Sequence, residues 1–450
     1  MLNKIIDDYL KKNYYPFHMP GHKRSKLLNS KIGYGRDFTE IDGFDNLNDP
    51  KEVFVEMKKK IAQIYNVKDA IISTNGSTSG ILATIRAVTS ENKNILIERS
   101  SHKAVYNACL INELNVDYLT VMTNEIGAIV NILYDELEDK LKTKKYACLV
   151  ITSPSYEGYI LDTERIYNLC KKYKTKLILD MAHGSHLFLT EVYRKTFDIA
   201  ITSFHKNLPA LTPAAAILIN DDKNSDKLRF AMSIFQTSSP SYLVLQSIDY
   251  ILENINELST LYKNLQRNLC DLYKLNLEKL SLIDSKNKDK SKILISTKNT
   301  NINGKKLAQL LKKEKIEVEM AYPSYALLIA TLFDTDEGFN LLKKALIKID
   351  KEIISMDNNY NFTYKCPQKI YEIYEAMIKK SDLVDLEKAK GKIAADFTYA
   401  YPPGIPILAP GELINEEILE NINNLTQNNI NINLYQNLIS VLIDKRDENC

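Results

Sequence analysis

The chain has 450 residues, enough for two or three domains with a large hydrophobic core. Its 59 lysines and arginines nearly balance its 57 aspartates and glutamates, and the net charge of +2 gives no support to a nucleic-acid-binding surface. The six cysteines are scattered without a Cys-x-x-Cys pair, which indicates reduced thiols in a cytoplasmic protein and argues against a disulfide framework or a zinc site. The N-terminus lacks the apolar core of a signal peptide, and no apolar stretch is long enough to span a membrane.

Residues 1–50 are predicted to form an N-terminal segment, a short helix followed by a long loop. Loops of this length inside compact proteins are usually functional, so we expect this segment to contact a second subunit. Its acids Asp37, Glu40, Asp42 and Asp45 are either functional or simply solvate the loop.

Residues 51–285 alternate short apolar strands with segments of helical period, after an amphipathic helix between Pro50 and Tyr65. This alternation predicts an α/β domain with a mostly parallel, seven-stranded sheet wrapped by helices. Strands are expected at residues 70–73, 94–97, 116–121, 147–152, 176–180, 198–202 and 214–219. A helix from Leu243 to Asn256 is expected to lead out of the domain.

Two smaller units are expected to follow. The polar run 284–292 has the composition of a boundary or an exposed hairpin. Residues 286–360 then predict a small α/β domain with a helix from Lys305 to Lys313. Residues 361–450 predict a C-terminal domain that contains a proline-rich segment at 401–406.

Two polar side chains directly follow predicted buried strands. Lys206 comes after strand 198–202, and Asp180 is delivered by the apolar residues 177–179. Open α/β sheets bind their ligands at this position, outside the carboxyl ends of the strands. Alone, Lys206 would be read as a solvated loop lysine and Asp180 as a helix cap. Together they indicate a site in which a buried acid needs a cationic partner.

Two further segments are expected at the same edge of the sheet. The small-residue loop 73–80 opens a helix, and its backbone N–H groups and hydroxyls suit an anion such as phosphate. His102 follows strand 94–97 and offers a flat ring, although a core histidine is the structural alternative. A phosphate cradle, a flat ring, an acid and a lysine in this chain order are what pyridoxal phosphate (PLP) needs.

With these motifs, the chain resembles the PLP-dependent ornithine/lysine/arginine decarboxylases of bacteria. The resemblance extends to residues 17–23 (FHMPGHK) and 37–47 near the N-terminus, and to 401–406 (YPPGIP) and 410–412 (PGE) near the C-terminus. It implies a large domain of the aspartate-aminotransferase type, known as fold type I.

The resemblance assigns a role to each residue of the site. Lys206 would hold the cofactor aldehyde covalently, Asp180 would pair with the pyridinium nitrogen, and His102 would stack on the ring. The remaining expected cofactor contacts are Gly76, Ser77, Thr78, Ala182, His183, Ser203 and His205. An ordinary cap or turn is the alternative for each serine or threonine. No metal site is expected, because the pairs His183/His186 and His18/His22 lack a completing cysteine or carboxylate.

The resemblance also implies an activity, decarboxylation of a basic amino acid in a homodimer or a larger homo-oligomer. Arginine giving agmatine is the preferred reading, with lysine and ornithine as alternatives. Glu412 is expected to hold the distal cation of the substrate, with Asp37 and Glu40 joining it. An aminotransferase or lyase with the same large domain, and a catalytically silent relative, are the other interpretations.

The sequence departs from the family pattern in two places. It begins almost directly at the motif 17–23, so the N-terminal wing domain of the large inducible decarboxylases is not expected. Asn48 stands where many relatives have histidine, which puts the contribution of that histidine in doubt.

Overall fold

The structure is a computed structural model, and it describes residues 11–17, 45–221, 224–356, 366–400 and 404–443. The motif at 18–23, the acids Asp37, Glu40 and Asp42, and residues 401–403 lie outside the described residues.

A seven-stranded sheet forms the centre of the large domain. Its spatial order is β2-β10-β9-β8-β7-β3-β4, and β10 is antiparallel to both of its neighbours while the other pairs are parallel. The strands are β2 (Asp69–Ser73), β3 (Asn94–Glu98), β4 (Asn115–Leu119), β7 (Cys148–Thr152), β8 (Lys176–Asp180), β9 (Ile199–Ser203) and β10 (Ala215–Ile219). Every residue of β9 and β10 is buried, as expected for strands covered on both faces. The predicted fold class is confirmed.

Helices cover both faces of this sheet. They span Val53–Ile64, Gly76–Val88, Lys103–Ile111, Tyr134–Thr143, Thr163–Lys172, Phe204–Asn207, Ser225–Phe235, Tyr242–Glu253 and Ile255–Tyr273. The second of these packs closely on the sheet at Gly80, where an added Cβ would lie 3.0 Å from Ile201 and 3.2 Å from Ile217. A short hairpin of β5 (Val121–Thr123) and β6 (Ile129–Ile132) packs its apolar side chains into the core.

A four-stranded antiparallel sheet of order β11-β12-β15-β14 forms the small domain. Its strands are β11 (Ser281–Ile283), β12 (Lys292–Ser296), β14 (Met320–Tyr322) and β15 (Tyr325–Ile329), and its helices are Gly304–Lys313 and Asp336–Glu352. Here β13 (Ile316–Glu317) pairs in parallel with β1 (Tyr15–Pro16). Because β11 already belongs to this sheet, the sheet begins before the predicted boundary at residue 286.

The polar run 284–292, expected to be a boundary or an exposed hairpin, connects the antiparallel strands β11 and β12. Residues 284, 286, 287 and 290 are exposed, but Lys288 is only 6% exposed and Lys292 is fully buried. Lys292 is buried because it belongs to β12, a central strand that pairs with both β11 and β15.

The C-terminal part is built from two small antiparallel ribbons and two helices. Their bounds are β16 (Ser381–Asp385) with β19 (Leu438–Leu442), β17 (Thr398–Ala400) with β18 (Ile405–Leu408), and the helices Ile373–Met377 and Glu416–Gln427. Within the described residues, no helix is both long and apolar enough to cross a membrane.

Candidate active site

A cavity of about 440 Å³ opens at the carboxyl ends of the central strands. It is bordered by residues from the large domain, by Glu319 from the small domain and by Ile405 from the C-terminal part. Its lining includes nine of the predicted site residues: Gly76, Ser77, Thr78, His102, Asp180, Ala182, His183, His205 and Lys206. These residues, which are distant in sequence, therefore meet at one edge of the sheet, as expected for residues that follow the carboxyl ends of parallel strands.

Lys206 lies on the four-residue helix Phe204–Asn207 that immediately follows β9. Its Nζ is 3.0 Å from Nε2 of His183. Burial lowers the pKa of Lys206, while the nearby carboxylates of Asp180 and Glu319 act in the opposite direction. A lysine with a lowered pKa spends more time as the neutral amine, the form that attacks an aldehyde.

Asp180 is the last residue of β8 and is only 3% exposed. Its Oδ1 accepts a hydrogen bond from the N–H of Ala182 at 3.1 Å. Burial raises the pKa of Asp180, and Lys206 together with this hydrogen bond counteracts that effect. A cation placed against the carboxylate would favour its ionised form, as the protonated nitrogen of a pyridine ring does.

His102 caps the helix Lys103–Ile111, and its Nδ1 accepts a hydrogen bond from the N–H of Ala104 at 3.1 Å. This bond fixes the ring while leaving one side exposed to the cavity. Desolvation of the imidazole ring, together with the nearby cations Lys206 and Lys103, lowers the pKa of His102 to about 4. The imidazole is therefore neutral at neutral pH, which suits stacking against a positively charged ring.

The first turn of the helix Gly76–Val88 fits a phosphate group. Gly76 has a φ of +78°, a conformation that glycine adopts without strain, and Ser77 and Thr78 line the cavity beside it. Ser203 lies behind this surface, fully buried, and its Oγ has no hydrogen-bond partner among the described residues. His205 is held through Nδ1, which is 3.0 Å from the carbonyl oxygen of Ala214. An orphaned buried hydroxyl beside a helix N-terminus is consistent with an anion site.

Asn48 contributes to the same loop indirectly. Nε2 of Gln236 donates to Oδ1 of Asn48 at 3.4 Å, and Oε1 of Gln236 accepts from the N–H of Thr74 at 3.1 Å. Asn48 therefore supports the segment leading into the phosphate-binding turn.

The position of Glu412 corrects the sequence prediction. Its side chain is fully buried, and its Oε2 accepts from the guanidinium of Arg99 at 3.0 Å and from the N–H of Ala409 at 2.7 Å. Arg99 also donates to the carbonyl oxygens of Pro406 and Ile407, at 2.8 and 3.0 Å. A carboxylate that is enclosed and already paired offers no surface to a substrate, so Glu412 fastens the C-terminal part instead of holding the distal cation.

Two acids of the cavity were missed by the sequence analysis. Glu98 ends β3 and is 2% exposed; it accepts from Ser100 and from the N–H of Thr152, the latter at 2.7 Å. The strand-end argument that found Asp180 could have found it, had β3 been extended by one residue. Glu319, which accepts from the hydroxyl of Tyr156, had no comparable signal.

The comparisons with known proteins agree with this geometry. Residues 2–310 match the family model for the Orn/Lys/Arg decarboxylase major domain, and residues 356–431 match the C-terminal domain of the same family. The arginine decarboxylase of Bacillus anthracis is 26% identical over 92% of this chain and 90% of its own length. The arginine decarboxylase of Bacillus subtilis is 26% identical over 89% of this chain and 88% of its own length.

Solved structures show the same fold. The lysine decarboxylase LdcF of Francisella novicida superimposes with a TM-score of 0.79 at 19% identity, covering 98% of this chain and 83% of that one. Together, the two family models cover both the large domain that carries Lys206 and the C-terminal part that carries Glu412. The chain belongs to the Orn/Lys/Arg decarboxylase family.

Proposed function

We propose that the protein is a PLP-dependent decarboxylase that converts arginine to agmatine and carbon dioxide. The observation that carries this proposal is the convergence of Lys206, Asp180 and His102 on one cavity. The preference for arginine is supported by the relatives that align along most of their length and are named arginine decarboxylases.

In this proposal the cofactor site is formed entirely by described residues of one chain. Lys206 would bind the cofactor aldehyde, Asp180 would pair with the ring nitrogen, and His102 and Ala182 would hold the ring. The turn Gly76–Thr78, with Ser203 and His205, would hold the phosphate. When bound, PLP supplies an electron sink for the electron pair left on Cα as carbon dioxide departs.

The residues around the reacting carbon act by position and charge. Asp180 keeps the ring nitrogen protonated, because a buried carboxylate favours a neighbouring cation. His183 lies within hydrogen-bonding distance of Nζ of Lys206 and orients it. With substrate bound, this Nζ would be the group that supplies a proton to Cα.

Glu319 takes the role first assigned to Glu412. It lines the cavity from the small domain and is only partly buried, whereas Glu98 and Asp180 are almost completely enclosed. Its carboxylate is therefore the one on this cavity, among the described residues, that a substrate side chain can reach. A planar guanidinium pairs with such a carboxylate through two parallel hydrogen bonds, whereas an ammonium presents a compact point charge.

We further propose that the working unit is a homodimer whose N-terminal segments reach the partner's site. Asp37 and Glu40 would then assist substrate binding from the second subunit. Sedimentation under assay conditions tests the assembly, and a fully active monomer would contradict it. Mixing a Lys206→Ala chain with an Asp37→Asn/Glu40→Gln chain should restore part of the activity through hybrid dimers.

The decisive experiment measures carbon dioxide and amine products from arginine, lysine and ornithine with the PLP-loaded protein. We expect agmatine from arginine with the highest kcat/KM. Cadaverine or putrescine as the main product would overturn the choice of arginine. Formation of a keto acid without carbon dioxide would show that the protein catalyses transamination and not decarboxylation.

A further inference from the structure

A buried lysine of the small domain lies directly behind the candidate active site. Lys292, the first residue of β12, has no solvent exposure. Its stem packs against Gly158, where an added Cβ would lie only 2.7 Å from the Cβ and Cγ of Lys292. Because burying a lysine is costly, a lysine enclosed so tightly calls for polar groups that hold its ammonium.

One such polar group belongs to the segment that carries Lys206. In the orientation that satisfies both ends of its amide, Asn207 accepts from Nζ of Lys292 at 2.9 Å. The same amide donates to the backbone carbonyl oxygen of His183 at 2.9 Å. Since Asn207 follows Lys206 directly, this one side chain ties the lysine helix, the loop after Asp180 and the small domain together.

The network ends at the reacting amine. The ring of His183 lies 3.0 Å from Nζ of Lys206 on one side and packs edge-on against the ring of Tyr156, at 4.5 Å between centroids. Burial, together with Lys206 and Lys292, lowers the pKa of His183, with smaller contributions from His102 and His205. The imidazole therefore stays neutral and its Nε2 can accept a hydrogen bond from the lysine.

A buried counter-charge accompanies Lys292 on its own hairpin. The N–H of Lys292 donates to the carbonyl oxygen of Asp289 at 3.1 Å, and Oδ2 of Asp289 lies 3.2 Å from Nε2 of His186. Burial would raise the pKa of Asp289, but His186 and Lys292 hold it below its usual range. Asp289 therefore places a negative charge near Lys292, while the Lys292 ammonium donates to the amide of Asn207.

We propose that Lys292 is a positioning residue for Lys206. Through Asn207 it fixes the backbone of His183, and through His183 it fixes the amine at the centre of the cavity. The small domain thereby sets the geometry of a residue that belongs to the large domain. Only the catalytic consequence rests on the proposed function, because the hydrogen bonds join protein groups and need neither cofactor nor substrate.

The test compares Lys292→Met, Lys292→Gln and Asn207→Leu with the wild type. Lys290→Met is the control, because Lys290 lies on the same hairpin but pairs with Asp284 at 2.6 Å, at the exposed turn. The first readout is the His183 signal in protein labelled with ¹⁵N-histidine, recorded without cofactor. The second is the pH titration of the visible absorbance of the PLP-loaded protein, and the third is kcat and KM.

We expect Lys292→Met to shift the His183 signal and the pH titration, and to lower kcat on the order of tenfold to a hundredfold with little change in KM. Lys292→Gln, which retains a donor for Asn207, should recover part of kcat. The double variant Lys292→Met/Asn207→Leu should be no worse than either single variant, because both break the same link. Lys290→Met should leave the His183 signal and kcat near wild type.

An unchanged His183 signal in Lys292→Met would overturn the inference, as would strictly additive losses in the double variant. If Lys292→Met does not fold, Asn207→Leu and Lys292→Gln test the same link from its two ends. If the wild type decarboxylates none of the three amino acids, the proposed function is wrong. The His183 signal of the cofactor-free protein still tests whether Lys292 positions His183 through Asn207.

Discussion

Nζ of Lys206 lies 3.0 Å from Nε2 of His183, at the point where the strands β8 and β9 deliver their polar ends. Burial lowers the pKa of both groups, so neither holds its proton as firmly as in water. A neutral imidazole beside a lysine of reduced basicity can accept a hydrogen bond from the amine without competing for its charge. The pair is thus suited to covalent chemistry at Nζ.

Replacement of Lys206 by alanine should abolish covalent cofactor attachment and nearly all turnover. The phosphate-binding turn should still bind the cofactor weakly, because Gly76, Ser77 and Thr78 are untouched. Borohydride reduction of the wild type followed by peptide mapping checks the attachment site. A label on Lys103, which lies outside the lining of the cavity, would contradict the assignment.

Asp180→Asn should fold normally and lose about 3 kcal/mol of transition-state stabilisation, the scale of removing a preorganised electrostatic group. The loss should appear in kcat, because an amide no longer favours a protonated ring nitrogen. Asp198→Asn is a control, since Asp198 is equally buried but lies just before β9, away from the ligand edge. Near-normal turnover in Asp180→Asn would show that another residue faces the nitrogen.

Glu98 should make stability depend on pH. Burial raises its pKa from 4.5 to about 7, so between these values the folded protein holds a proton that the unfolded chain has released. The free energy of unfolding contributed by Glu98 therefore falls as pH rises from 4.5 to 7. Glu98→Gln removes this penalty, and its stability relative to wild type should rise over that range by up to about 3 kcal/mol.

Urea unfolding of both proteins without cofactor, at several pH values between 4.5 and 7.5, measures this difference. The buried histidines titrate in both proteins and cancel in the comparison. A difference in stability that stays constant with pH would show that Glu98 is ionised in the folded state.

Glu319→Gln should lower kcat/KM for arginine. The corresponding loss of transition-state stabilisation should be about 2–5 kcal/mol, the usual cost of removing one partner of a desolvated charge pair. Cofactor binding should be little affected. Glu317→Gln is a matched control two residues away, because Glu317 pairs with Lys312 and does not line the cavity. Equal effects of the two substitutions would remove Glu319 from substrate binding.

Glu412→Gln should destabilise the protein and leave substrate preference unchanged. Breaking a buried ion pair from one side typically costs about 3–5 kcal/mol, because Arg99 would remain buried without its counter-charge. Glu416→Gln, which breaks an exposed pair with Lys390, should leave stability almost unchanged, because solvent screens that pair. A changed ranking of arginine, lysine and ornithine in Glu412→Gln would restore Glu412 as a specificity residue.

The strand-end argument predicted much of the site because it depends on local sequence. A short apolar run identifies a buried strand, and the next polar residue must then lie at the sheet edge, which located Asp180 and Lys206. Seven strands were predicted near their observed positions for the same reason. An error of one residue at a strand end was enough to hide Glu98.

Residues whose role depends on distant pairing could not be predicted in this way. The composition around Lys292 favours exposure, and only the pairing of β12 within its sheet buries it. The motif that contains Glu412 predicts a position near the site. Nothing in the local sequence indicates that Glu412 pairs with Arg99, which is 313 positions earlier in the chain. Glu319 reaches the cavity only because the small domain packs against the large one.

The long separation between Arg99 and its partners also bears on how the protein is made. Pro406, which accepts from Arg99, follows it by 307 residues, and β18 also brings Ile405 to the cavity. On the ribosome, Lys206 and Asp180 emerge long before this part of the cavity wall exists, and Arg99 lacks its carboxylate partner until residue 412 has been made. The site can therefore enclose the cofactor only after residues 405–412 have been synthesised and have folded against Arg99.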